Sequence, residues 1–188
     1  KPHETAMIGW GVILTNVPFF VYFAITLPWE AVAWMGAYAF SFWQYSATPL
    51  RFKGRPILDS VSNADYAFPL VFVPFALGGS PVWAAAIGLM AWSLAKDASA
   101  GIITTAVKFG IKGSLVWSGF WWVVSTVLFA LVNLPLAAVN AALAGVLVVA
   151  QWRNPTIATA RRLYRYSVAF PYVAGAVAGV QLVTGLVL

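Results

Sequence analysis

The 188-residue chain has no cysteine, one histidine and five acidic residues. Without thiols there can be no disulfides and no thiolate metal site. With His3 as the sole imidazole, near the chain start, neither a histidine-based zinc site nor a Ser-His-Asp triad is expected. Charge of either sign is scarce, at 9% of residues against about a quarter in a soluble domain. Hydrophobic residues make up 62% and the mean hydropathy is +0.84. A surface so poor in charge must face something apolar, and lipid is the simplest candidate. The length suggests one domain, and a single bundle of spanning helices over residues 1–188 fits it. A signal peptide is also missing, and the chain opens on Lys1 as mid-protein sequence does. A further N-terminal portion, on this chain or a partner, is therefore expected.

What charge there is has one dominant sign: 11 Lys and Arg against five carboxylates, a net +6. In a soluble protein that balance would suggest nucleic acid. Here the charges fall only in gaps between apolar runs, so no nucleic-acid partner is expected. The positive-inside rule and anionic headgroups account for the bias. The sharper alternative is that some of these cations hold an anionic substrate.

A spanning helix needs about 20 largely apolar residues. Seven runs qualify, at about 7–27, 30–48, 64–77, 81–95, 113–132, 136–152 and 167–188. The fold class predicted is therefore all-α, a polytopic membrane bundle of seven transmembrane helices. Pro69 and Pro74 predict a kink in the third run. The connector Arg153–Tyr166 is basic, and its end is expected to form an amphipathic interfacial helix. If seven runs alternate in direction, all 11 basic residues fall on one side, which should be cytoplasmic. The turns on the other side are two to four residues long, and two of the basic connectors run to about 15. Long loops on rigid helices tend to carry function, so the basic side is the expected active face.

Two connectors there join cations to a carboxylate and hydroxyls. The first runs Tyr45-Ser46-Ala47-Thr48-Pro49-Leu50-Arg51-Phe52-Lys53-Gly54-Arg55 and on through Asp59 and Asn63 to Asp65. The second runs Lys96-Asp97-Ala98-Ser99-Ala100-Gly101-Ile102-Ile103-Thr104-Thr105 to Lys108. Such sets suit an oligo-anion, with Mg²⁺ bridging carboxylates to phosphate oxygens. Gly101 to Thr105 is expected to open a short helix whose N–H groups face an anion. Ordinary loop polarity is the plainer alternative. Glu30, alone near the other surface, has an expected interfacial role. Asn16, Asn140 and Gln181, the polar residues inside the runs, are expected to hydrogen-bond between helices.

The same two stretches resemble the UbiA-type intramembrane prenyltransferases. Tyr45 to Lys53 is similar to that family's YSxPPLRxK connector, and Arg55-Pro56-Ile57-Leu58-Asp59-Ser60-Val61-Ser62-Asn63 continues it in the style of the carotenoid-directed lycopene elongases. Asp97 to Ala106 resembles the tail of the second aspartate motif, DxxxDRxAGxxTTA. The resemblance implies that this chain corresponds to helices three to nine of the family's nine, because both stretches follow helices two places earlier here. It implies transfer of an allylic isoprenoid group from a diphosphate to a lipophilic acceptor such as a carotenoid, with Mg²⁺ holding the diphosphate. Asp97 would be the catalytic residue and metal ligand. Tyr45, Ser46, Arg51, Lys53, Asp59, Asn63, Thr104, Thr105 and Lys108 would bind substrate, with capping of the next helix as the alternative role of Asp59.

The chain departs from the family pattern at three points. The first aspartate motif would lie upstream of Lys1, Ser93 stands where the second motif's first aspartate belongs, and Ala98 stands where its Arg belongs. One carboxylate is a poor Mg²⁺ cage. A partner segment that completes the site is one expectation. The other is a non-catalytic relative that binds pigment or lipid inside a larger membrane complex. A retinal photoreceptor is disfavoured because no lysine lies mid-helix, and a transporter because no ionisable group sits near the bilayer centre.

Overall fold

The computed structural model describes residues 2–55, 58, 62–99 and 103–184. Asp59, Gly101, Ile102 and the last four residues lie outside them, as do the side chains of Asn63, Asp97, Thr104, Thr105, Lys108 and Gln181. The described chain is all helical, with no strand. α1 spans Pro2–Thr26 and α2 Trp29–Ser46. A 3-10 turn at Phe52–Gly54 and a 3-10 helix at Asn63–Ala67 lead into α3, Phe68–Ala76. Then come α4 (Trp83–Ser99), α5 (Ile103–Ala130), α6 (Leu134–Arg153), α7 (Ile157–Ser167) and α8 (Phe170–Thr184).

The breaks follow local chemistry. Pro28 separates α1 from α2. Gly78, at a φ of 74°, ends α3 in the left-handed conformation that glycine adopts without a Cβ clash. Asn133 caps α6: its side-chain oxygen accepts from the Leu136 N–H at 2.9 Å, beside a proline in the first turn. Pro69 also sits in a first turn, that of α3, where its missing N–H costs no hydrogen bond. The irregular stretch in this region is the 3-10 helix before it, rather than a mid-helix kink at Pro69.

α5 differs from the expected 113–132 run by beginning at Ile103. Gly110, with φ 67° and ψ 176°, breaks it after two turns. The preceding piece is a short helix of the kind expected after Gly101. Among the described residues three helices are long and apolar enough to cross a membrane, Met7–Thr26, Phe109–Ala130 and Leu134–Arg153. Ala64–Ala76 and Trp83–Ala95 are apolar but shorter.

Side-chain contacts fix the helix directions. Ser41 bonds Asp65 and Tyr38 packs on Phe68, so α2 runs antiparallel to the segment that follows. Phe75 meets Trp83 and Tyr66 meets Trp92, reversing direction again into α4. Ser118 donates to the Ala95 carbonyl at 2.8 Å, and Asn140 donates to Ser125 and Thr126 at 2.9 Å, carrying the alternation through α5 and α6. The central cluster includes Trp92, Trp122, Phe129, Leu147 and Phe170, with Phe170 stacked on Phe129 at 5.5 Å and tilted against Trp92 at 5.3 Å. Asn140 thus bonds between helices as expected. Asn16 does not: its amide donates to Val12 of its own helix at 2.8 Å, because no residue from Met7 to Thr26 is buried against a neighbour.

The alternation gathers Arg51, Lys53, Arg55, Lys112, Arg153 and Arg162 at one end of the bundle. α7 closes that end, with Leu163 packed on the core and Arg162 exposed. Such two-faced helices lie well at an interface between apolar and wet surroundings.

Candidate functional site

The site is built where α2 ends. Gln44, only 1% exposed, accepts the Leu50 N–H at 3.0 Å and folds the connector back over the helix terminus. The Arg51 N–H reaches the Ala47 carbonyl at 2.9 Å. Arg51 itself adopts the left-handed region, φ 41° and ψ 66°, which costs a non-glycine residue about 1–2 kcal/mol. Lys53 Nζ then donates to Ser46 Oγ at 3.0 Å, and Arg55 Nη2 donates to the Pro49 carbonyl at 3.1 Å. Of the residues expected to bind substrate, Tyr45, Ser46, Arg51 and Lys53 are thereby brought together. Among the described residues no carboxylate pairs with Arg51, Lys53 or Arg55.

Beside this patch lies a cleft of about 420 Å³ lined by Tyr38, Phe42, Tyr45, Ser62, Asp65 and Tyr66. Tyr38, Phe42 and Tyr45 recur at helical spacing and so present one face of α2. Asp65 enters from the 3-10 helix, half-buried, and its Oδ2 accepts the Ser41 hydroxyl at 3.0 Å. Sequence reasoning named Asp65 only as the end of a connector and missed Ser41. The i, i+3, i+4, i+7 series Tyr38, Ser41, Phe42, Tyr45 was the available signal.

The second connector reaches the same end. Asp97 falls in the last turn of α4, and Thr104, Thr105 and Lys108 fall in the first two turns of α5. Ser93, in the aspartate position of the motif, is fully buried and donates to the Met90 carbonyl of its own helix at 2.7 Å. Among the described residues no group of three or more acidic or histidine side chains converges. Glu30 lies at the opposite end, in the first turn of α2. Asp65 is the one described carboxylate near the patch, and a single carboxylate bonded to Ser41 does not fit Mg²⁺, which takes ordered oxygen ligands.

A second hollow, about 460 Å³, lies between α5 and α6 and includes Trp122, Val127, Ala144, Gly145 and Val148 in its wall. Among the described residues no charged one lines it.

The chain is similar to lycopene elongase/hydratases. The Haloferax volcanii protein of that name is 38% identical over 127 residues, covering 61% of this chain and 42% of the relative. The Halobacterium salinarum lycopene elongase/hydratase is 35% identical over 127 residues, covering 61% and 46%. The C(50) beta-cyclic carotenoids biosynthesis protein LbtBC of Dietzia sp. is 32% identical over 157 residues, covering 76% and 36%. The aligned part is thus less than half of each of these relatives. No family model and no solved structure matches.

Proposed function

We propose that the chain forms part of a UbiA-type intramembrane prenyltransferase that elongates a carotenoid and, as its relatives' name adds a hydratase, also hydrates the product. In this reading it is an integral protein of a bacterial or archaeal cytoplasmic membrane, spans it seven times, and turns its basic end to the cytoplasm. The observation that carries the proposal is the juxtaposition at one helix end. Tyr45 lines an aromatic cleft, and the next residue, Ser46, holds Lys53 in a cationic patch where no described carboxylate pairs with it.

The patch suits a diphosphate. Arg51 and Lys53 offer donors to its oxygens, and charge-assisted bonds of this kind are the strong ones. As the allylic C–O bond ionises, those cations favour the leaving group over the intact ester. The cleft suits the hydrocarbon. Tyr38, Phe42, Tyr45 and Tyr66 exclude bulk water from an allylic cation and offer π faces to it. Mg²⁺ would add charge stabilisation at the diphosphate, but the described residues do not make its cage.

Membranes carrying the full-length protein, given an allylic diphosphate, Mg²⁺ and an acyclic carotenoid, should yield an elongated carotenoid. Lys53→Ala should raise the KM for the diphosphate at least about tenfold, the loss of one hydrogen bond to a charged group. A wild-type protein that makes no product, or a Lys53→Ala variant with the wild-type KM, overturns the proposal. The second reading, a pigment- or lipid-binding subunit without catalysis, is favoured by the uncharged hollow between α5 and α6. Co-purified carotenoid together with an inert wild type would support it.

A further inference from the structure

The cleft contains a carboxylate that diphosphate binding does not use. Asp65 belongs to the wall formed with Tyr38, Phe42, Tyr45 and Tyr66, and its Oδ2 is fixed by Ser41. Its other oxygen, Oδ1, has no donor among the described residues, and no cation pairs with the group there. Aromatic faces around an uncompensated carboxylate are an environment for positive charge or for a proton about to be shed. The cationic side chains Arg51, Lys53 and Arg55 are not among the residues that line the cleft, so the two halves of the site differ in chemistry: anion-holding at the patch, cation-holding in the cleft.

Resting on the prenyl-transfer reading above, we infer that Asp65 is a catalytic base that accepts the proton released when water adds to the elongated carotenoid cation, with Ser41 as its positioning residue. The atoms balance without an oxidant or reductant. The allylic C–O bond breaks and its electron pair leaves with the diphosphate. The π pair of an acceptor alkene forms the new C–C bond, leaving the other alkene carbon as a tertiary cation. A water oxygen adds to that carbon, and the surplus proton passes to Asp65 Oδ1, giving a tertiary alcohol. The Ser41 hydroxyl holds Oδ2 and so fixes the orientation of a carboxylate that lines the cleft. A cleft of about 420 Å³ has room for a water beside a hydrocarbon end, since one water takes about 30 Å³.

The test is the product ratio of the full-length protein, read by mass spectrometry in H₂¹⁸O. Wild type should give an ¹⁸O-labelled tertiary alcohol. Asp65→Asn keeps the shape and an acceptor for Ser41. It should lower the ratio of alcohol to alkene about a hundredfold, the scale of a positioned general base, while diphosphate release stays within a few-fold of wild type. Ser41→Ala retains the carboxylate but frees its orientation. It should lower the ratio about tenfold, and Ser41→Thr should restore it. Asp65→Asn with the wild-type ratio overturns the assignment, as does equal loss of elongation and hydration in a variant that still elutes as folded protein. If Asp65→Asn does not fold, an unchanged ratio in Ser41→Ala overturns it. A wild type that releases no diphosphate sinks the prenyl-transfer reading and the base with it. A wild type that elongates but yields only unlabelled alkene sinks the base alone.

Discussion

Replacing Gly88 with alanine tests the packing that holds the site-bearing helix α4 against α5. A Cβ at this position would stand 2.9 Å from Phe129 Cε1, 3.0 Å from Cδ1 and 3.4 Å from Leu128 Cβ. Carbon pairs prefer about 3.5–4.0 Å, so the new methyl is short by roughly half an ångström or more against the ring. The ring has little room to yield. Phe129 is 3% exposed and stacks on Phe170, which in turn lies against Trp92. Overpacking of this kind costs about 1–3 kcal/mol, and the helix-propensity gain of alanine over glycine returns about 1 kcal/mol. With the ring pinned, the clash outweighs the gain, for a net loss of up to about 2 kcal/mol. At about 2–4 °C per kcal/mol for a chain of this size, the melting temperature in detergent should fall by several degrees. Gly145 in α6 is the control. A Cβ there meets nothing within 4 Å, so Gly145→Ala should be neutral or slightly stabilising. Phe129→Leu should partly rescue Gly88→Ala, giving a double-mutant coupling above about 0.5 kcal/mol. A Gly88→Ala protein that melts at or above the wild type, or strict additivity with Phe129→Leu, would refute the reasoning.

Arg51→Gly should pull stability and affinity apart. Relief of the left-handed backbone raises connector stability by up to about 1 kcal/mol, seen as slower proteolysis between α2 and α3. Loss of the guanidinium raises the KM for an allylic diphosphate about tenfold, by steady-state kinetics. Asn140→Ala removes two buried interhelical bonds, to Ser125 and Thr126, and should cost about 0.6–1.7 kcal/mol per bond at most, measured by denaturant titration in micelles. Asn16→Ala breaks only a bond within α1 and should change stability by less than about 0.5 kcal/mol in the same titration.

Much of the helical layout was legible because its signals are local. Pro28, Gly78 with Gly79, and Asn133 with Pro135 punctuate the chain by fixing φ, supplying positive φ or capping a helix end, and each acts within a few residues. Helix starts were harder to read. Hydropathy reports contact with lipid or core, whereas helical hydrogen bonding continues into polar sequence, so the apolar run marked its start at Gly113 although helix already begins at Ile103. Asn16 was misread because nothing in its own run shows whether a neighbouring helix lies within reach.

The candidate site divides in the same way. Tyr45, Ser46, Arg51 and Lys53 are close in sequence, so one folded connector suffices to assemble them, and the motif alone placed them together. Ser41 and Asp65 are 24 residues apart, and they meet only because α2 and the 3-10 helix pack antiparallel. Composition determined that the chain seeks an apolar environment, and its breakers determined where helices end. Which helix faces meet, and hence which carboxylate shares a cleft with four aromatic rings, was decided by tertiary packing. Side-chain complementarity between segments far apart in the chain leaves no local trace in the sequence.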